Sequence, residues 1–424
     1  MKKVFSVVLA MAMMFTLMAG CGDKKDEPAG GETKKSEAGE TKAAGDSKDG
    51  ETKAAGSSDG GEITLAFVGP QTGDNAEYGK SMKVAIQIAI DEWNEKGGVN
   101  GQQIKLVDYD DANTSEQAAS VAQKIVGDDS ISAVIGHFSS GVAMTASEVY
   151  EESGIAYISG SAAHVDLTKI GDCIYRNNSV YATDANTMLQ IVQHLGLKKI
   201  GILNPNSDAG VAVTTEIQNM MEAYGDKYSA ELVLAELYED GTVDFSATVS
   251  KFEEAGVDCV YSSGAYAQTA PFIKQYREKN KDVQFIMSAA CFSQEFLELA
   301  GADAEGVVLG TSFFYESSDE AVKSFTEKFN AAYGSNPSTF CGQVYDATYA
   351  ILYAIEKGGS ADRADILANL PSTDFQGVTG KITFDEEGNC PKQQVLLKVE
   401  GGKYVEIPDV LKSQTDYEKE LGVQ

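Results

Sequence analysis

From residue 62 to about residue 310 the apolar positions alternate between two spacings. Short runs rich in apolar residues, such as Ile63 to Val68, Gln103 to Tyr109, Ile131 to Ile135 and Ile155 to Ile158, stop at glycine or other turn-forming residues. Between them apolar side chains recur at helical spacing, as Met82, Ile86, Ala89, Ile90 and Trp93 do between Gly79 and Lys96 and as others do from Ser115 to Val126. The first spacing predicts buried strands and the second amphipathic helices, with Trp93 on a packed face. After Ser179-Val180-Tyr181 a second series begins. It predicts helices over 183–195, 209–224, 244–255 and 267–279, and strands over 199–203, 231–237, 258–261 and 283–287. Two doubly wound parallel-sheet halves in succession predict an α/β molecule of two lobes with a cleft between them. Helical spacing returns over 320–333 and 342–356, and 380–399 reads as two strands joined at Asp385-Glu386-Glu387-Gly388-Asn389. A tail that visits each lobe in turn predicts a hinge crossed several times. The first lobe is placed at 62–180 plus about 311–372, the second at 181–310 plus about 373–424.

The chemistry concentrates between Ile131 and Ala163. One strand ends in His137-Phe138-Ser139-Ser140-Gly141 before a helical pattern, and the next ends in Ser159-Gly160-Ser161-Ala162-Ala163. Parallel strands deliver both loops to the same sheet edge, where ligands of open α/β sheets settle. Helix N-termini there offer unpaired N–H groups to anions. The expectation is a grip on a small molecule bearing a carboxylate. The run Asp108-Tyr109-Asp110-Asp111-Ala112-Asn113 lacks the central glycine and closing glutamate of an EF-hand and reads as a solvated strand end.

Composition and the chain's start change the setting more than the fold. The chain has 424 residues, 43% hydrophobic and 23% charged, with a net charge of -30, which argues against nucleic-acid partners. Lys2 and Lys3 precede an apolar segment, Val4 to Met18, too short for a permanent span, which reads as a signal peptide over 1–20. Its end, Leu17-Met18-Ala19-Gly20-Cys21, resembles a bacterial lipobox, so Cys21 is the expected lipidation site. Residues 21–61 carry three GETK repeats, at Gly31, Gly39 and Gly50, and read as a flexible tether. The expected location is the outer face of a cell membrane, held by lipid. The other cysteines, Cys173, Cys259, Cys291, Cys341 and Cys390, form no CxxC or Cys/His cluster, and their odd number leaves at least one free thiol. No metal site and no cofactor is expected. No G-x-S-x-G elbow occurs in the part that folds, and His137, His164 and His194 have no nucleophile at a recognisable spacing, so no catalytic residue is assigned.

Pro70, Gly73 and Tyr78-Gly79, the phrase Asn94-Glu95-Lys96-Gly97-Gly98-Val99-Asn100-Gly101, Tyr109-Asp110-Asp111-Ala112 and Val134-Ile135-Gly136-His137 together resemble the leucine/isoleucine/valine-binding proteins. The resemblance covers roughly residues 62–410. It implies a type I periplasmic-binding-protein fold and the role of a monomeric, membrane-anchored receptor that serves the permease and ATPase of an ABC importer. It further implies that the Ser140 hydroxyl and N–H, the Ser161 carbonyl and the Ala163 N–H hold the ligand's head group, with Ser139 and Ala162 in the same loops. Phe138 and Tyr78 are implied to line the side-chain pocket.

Departures from the family pattern are as informative. Ala163 stands where the family has threonine, Ala209 and Ala265-Tyr266 fall near its pocket tyrosines, and the acid that meets the substrate ammonium falls near Ala289. Asn113 and Ser139 replace its cysteine pair. An ammonium buried without a counter-charge costs several kcal/mol, comparable with the roughly 8 kcal/mol of a whole micromolar complex. Either Asp184, Asp208 or Asp346 replaces the lost acid, or the ligand is not an α-amino acid. Tyr78, Phe138, Tyr181, Tyr266 and Phe292 suggest an apolar, partly aromatic cleft. The expected ligand is a branched-chain or other apolar amino acid, with a small aliphatic or aromatic acid as the alternative. A sensor of the same ligand that signals to a receptor is the other alternative.

Overall fold

The computed structural model describes residues 61–422. The expected signal peptide, Cys21 and the tether as far as residue 60 lie outside the described residues. From Ile63–Gly69 (β1) the chain runs through Ala76–Glu95 (α1), Ile104–Asp110 (β2), Ser115–Val126 (α2), Ile131–Gly136 (β3), Ser140–Glu152 (α3), Ala156–Ser159 (β4) and Ile174–Arg176 (β5). The strands form one parallel sheet in the order β2-β1-β3-β4-β5. Every residue of β1 and β3 is buried, as strands covered on both faces require. Leu65 and Phe67 of β1 join the core under α1, with Met82, Ile86 and Ala89. Ala66 and Val68, pointing the other way, join Ala118, Ala122, Val142 and Ala146 of α2 and α3. Trp93 is buried against Tyr349 and Tyr353, as its helical phase predicts.

The second series comprises Tyr181–Leu195 (α4), Lys199–Pro205 (β6), Asp208–Tyr228 (α5), Glu231–Tyr238 (β7), Ser246–Ala255 (α6), Cys259–Ser262 (β8), Tyr266–Arg277 (α7), Gln284–Met287 (β9), Gln294–Ala300 (α8) and Val308–Thr311 (β10). Glu320–Tyr333 (α9), Thr339–Gly358 (α10) and Arg363–Asn369 (α11) follow, then Asp374–Gly377 (β11), Gly380–Thr383 (β12), Val395–Glu400 (β13), Lys403–Ile407 (β14) and Gln414–Leu421 (α12). The second sheet has the order β14-β13-β10-β9-β8-β6-β7. It is parallel from β7 to β10 and carries β13 and β14 antiparallel at its edge. Helices α9 and α10 return to the first sheet, where α10 packs on α1.

Two details differ from the sequence reading. Residues 380–399 do not form a hairpin with one another: β12 pairs with β11, and β13 pairs with β10 and β14. The loop between them is clamped to the end of β5, where Arg176 N–H donates to the Gly388 carbonyl and Cys390 N–H to the Arg176 carbonyl. Local pattern finds strands, but this clamp separates their partners. Nor is 108–113 simply a solvated strand end. Asp111 is fully buried against His137, while Asp110 accepts from the N–H groups of Gln71 and Ala112 and from the Thr72 hydroxyl. The five cysteines outside Cys21 are all buried and unpaired.

Candidate functional site

The site begins at Gly136. Its φ is +129°, and a Cβ there would lie 2.0 Å from the Val68 carbonyl oxygen, so glycine alone lets β3 end against β1. His137 follows at φ +41°, donating its N–H to the same carbonyl at 2.6 Å. Its ring lies between Asp111 (Nδ1 to Oδ2, 2.8 Å) and Tyr150 (Nε2 to Oη, 3.0 Å), all out of contact with solvent. This buried chain of polar groups turns the next residues toward the carboxyl end of the sheet. Helix α3 starts at Ser140 with no side chain capping it, which leaves its first N–H groups facing outward. Ser161 of the neighbouring loop ties back by its hydroxyl to the carbonyls of His137 and Phe138, each at 2.9 Å.

The two loops meet at Ser140. Its Oγ lies 2.7 Å from the Tyr181 hydroxyl and accepts the Ala163 N–H at 3.2 Å. The Ser161 carbonyl accepts from Asn178 Nδ2 at 2.6 Å, and Asn178 Oδ1 in turn accepts from Gln343 of α10. These contacts line a cleft of about 340 Å³ whose walls come from the carboxyl ends of both sheets. Helix α5 starts across from α3, and Asp208 Oδ2 would be 2.8 Å from a Cβ built on Gly141. The starts of α4 and α7 also lack a side-chain cap. Asp184, in the first turn of α4, accepts from Ser179 Oγ (3.1 Å) and Gln394 Nε2 (3.0 Å). Burial nevertheless pushes its carboxyl up to about 6. Burial likewise raises the Tyr181 hydroxyl, which therefore stays protonated.

Of the residues expected at the site, Phe138, Ser139, Ser140, Ser161, Ala163, Tyr181 and Asp208 line this cleft. Tyr78, Ala162 and Tyr266 do not. Tyr78 stacks on Phe138 at 4.3 Å and donates its hydroxyl to the Ala290 carbonyl of the other lobe at 2.8 Å. Tyr266 leans on Tyr78, and Ala162 donates its N–H to Ser159 Oγ. Phe292 is packed among Phe313, Tyr315 and Tyr404, away from the cleft. Of the acids weighed as ammonium partners, Asp184 and Asp208 reach the cleft, as do Ala209, Ala265 and Ala289. Asp346 is buried in α10 and accepts from Val378 N–H, Thr379 N–H and the Thr379 hydroxyl. The cleft is also lined by Asp74, Asn113, Asp240, Tyr238, Gln268 and Phe340, which the sequence reading did not place in it. Asp74, Asn113 and Asp240 sit just past strand ends, the one signal that could have found them. A wider depression of about 910 Å³, flanked by Lys198, Lys199 and Lys227, opens at the amino ends of β6 and β7, the opposite edge of that sheet. Among the described residues no group of three or more His, Cys, Asp or Glu side chains is arranged to hold a metal ion.

Comparison with known proteins agrees with this fold. Residues 62–402 match the family described as periplasmic binding protein. The chain is 30% identical over 331 residues, 77% of its own length and 87% of the relative's, to a leucine-, isoleucine-, valine-, threonine- and alanine-binding protein of Pseudomonas aeruginosa. It superposes with TM-score 0.75 and 27% identity on the branched-chain amino acid transporter substrate binding protein of Streptococcus pneumoniae, solved in complex with isoleucine. That match covers 82% of this chain and 100% of that one. A solute binding protein of an ABC transporter from R. palustris, in complex with benzoate, shares the fold at TM-score 0.75 and 20% identity, over 82% of this chain and 95% of its own. With its two parallel-sheet lobes and a cleft where the strands end, the chain belongs to the periplasmic binding protein family, among the leucine/isoleucine/valine-binding proteins.

Proposed function

We propose that this chain is the extracytoplasmic solute receptor of an ABC importer, a monomer held to the membrane through lipid on Cys21, and that its solute is an α-amino acid. The relatives' names point to a branched-chain or other apolar one. The observation that carries the reading is the polarity of the cleft. The uncapped start of α3, the Ser140 hydroxyl and the Ala163 N–H are suited to a carboxylate. Asp184 and Asp208, at the starts of α4 and α5, line the same cleft, Asp208 close beside the start of α3, and are suited to an ammonium. A ligand touching both lobes stabilises the closed form, which the permease and ATPase then read. We place the hinge where the chain passes between sheets, at 177–180, 312–318 and 384–394. Hairpin β11–β12 then moves with the first lobe, to which Asp346 holds it.

Isothermal titration against L-leucine, L-isoleucine, benzoate and 4-methyl-2-oxopentanoate, which lacks the ammonium, tests this. Binding of the amino acids is expected, and Ser140→Ala should weaken it about tenfold, ~1.4 kcal/mol, in a chain that still unfolds cooperatively. Unchanged affinity in Ser140→Ala would place the site elsewhere. A second reading, a carboxylic acid without an ammonium, is favoured by Ala289 and Ala290 at the cleft wall. It gains if heat appears only with benzoate or the oxo acid.

A further inference from the structure

The charged side chains that line the cleft are all of one sign. Asp74, Asp184, Asp208 and Asp240 all line it, and no lysine, arginine or histidine stands among its lining residues. Asp184 is bonded to Ser179 and Gln394, whereas Asp74, Asp208 and Asp240 take no hydrogen bond or ion pair from any described residue. Two amides accompany these acids. Gln268, in the first turn of α7, lines the cleft at 8% exposure with no hydrogen-bond partner among the described residues. Asn113 Oδ1, just past β2, is buried without a donor.

An aliphatic side chain laid against these groups would strip their water and return nothing, which is the unfavourable way to bury a polar atom. A guanidinium presents five N–H donors and an ammonium three, with no acceptor of their own. Asp74 follows β1 and Asp240 follows β7, so one cation between them would gather acids from both lobes, a contact available only when the cleft is shut. Resting on the amino-acid reading above, we infer that the preferred solute is a basic α-amino acid. Its side-chain cation is met by Asp74, Asp240 and Gln268, while Asp184 and Asp208 remain for the α-ammonium. Phe138 and Phe340 then cover the methylene stem, as long basic side chains favour.

Titration of the full-length chain with L-arginine, L-lysine, L-leucine and L-isoleucine separates the possibilities. Arginine or lysine should bind at least about tenfold more tightly than leucine. Asp240→Asn should weaken the basic amino acid about fivefold or more while leucine binds no more weakly than before, and Gln268→Leu should narrow the gap from both sides. Asp240 is exposed, so its replacement does not threaten folding, which a melting curve verifies. Leucine binding as tightly as arginine and lysine, or an equal loss for both classes in Asp240→Asn, overturns the inference while leaving the amino-acid reading intact. Heat from none of the four, with binding of benzoate, overturns the amino-acid reading itself.

Discussion

Asp184 shows how one residue's surroundings carry a measurable function. Its carboxyl, pushed up to about 6 by burial, keeps a proton in the folded chain at pH values where the unfolded chain, at 3.8, has lost it. The folded state therefore binds more protons between about pH 4 and pH 6. This contribution to stability is complete below about pH 4 and is lost as pH rises through about 6. A ligand ammonium brought to Asp184 favours the ionised form, so binding near pH 5.5 should expel a proton. Affinity is then expected to fall as pH drops from 7 to 5. Titrations at pH 5.5 in two buffers of different ionisation enthalpy would reveal the released proton, and Asp184→Asn should abolish the difference. Heats independent of buffer in the native chain would remove the ammonium from Asp184. At this scale the position of Ser140, Ser161 and Ala163 on the cleft wall was readable because each follows a strand end by a few residues. The position of Tyr78, Tyr266 and Phe292 was not, since aromatic rings near a loop can equally pack behind it, and here they do.

Elements owe their presence to local pattern and their partners to contacts distant in sequence. Helix α9 starts where Asp319 Oδ1 accepts the N–H groups of Ala321 and Val322, and it stops at Gly334 with φ +91°. Both signals are in the sequence, and the helix spans Glu320–Tyr333 as read from it. Hairpin β11–β12 is the counter-example. Its attachment rests on Asp346 of α10, whose three accepted hydrogen bonds keep it in place although burial raises its carboxyl. Replacing Asp346 with Ala leaves two buried N–H groups without an acceptor, at about 1–3 kcal/mol each. A loss of about 2–4 kcal/mol in denaturant unfolding is expected, with faster amide exchange confined to 374–383 and its α10 contact. Exchange that rises equally across both sheets would show instead that the hairpin is not a separate unit of stability.

The whole molecule turns on contacts made across the cleft. Tyr78, held by its stack on Phe138, donates to the Ala290 carbonyl, so its hydroxyl joins the two lobes without touching the cavity. Tyr78→Phe keeps the stack and removes that bond. Small-angle scattering of the ligand-free variant should show a larger radius of gyration, and ligand affinity should fall about fivefold, the equivalent of ~1 kcal/mol. A variant as compact as the native chain would mean that the lobes are held together elsewhere. What the sequence alone determined is the repeated strand–helix grammar, the division into two lobes and the two small-residue loops at one sheet edge. All of these follow from hydrophobic spacing, from glycine at Gly136 and from the handedness of parallel connections. What only the tertiary structure decided is the content of the cleft. Asp74, Asn113, Asp240 and Gln268 lie in four separate connections or helix starts. They become one surface only because the chain crosses between sheets and α10 seals the first lobe, and no local spacing encodes which side chains such a crossing brings face to face.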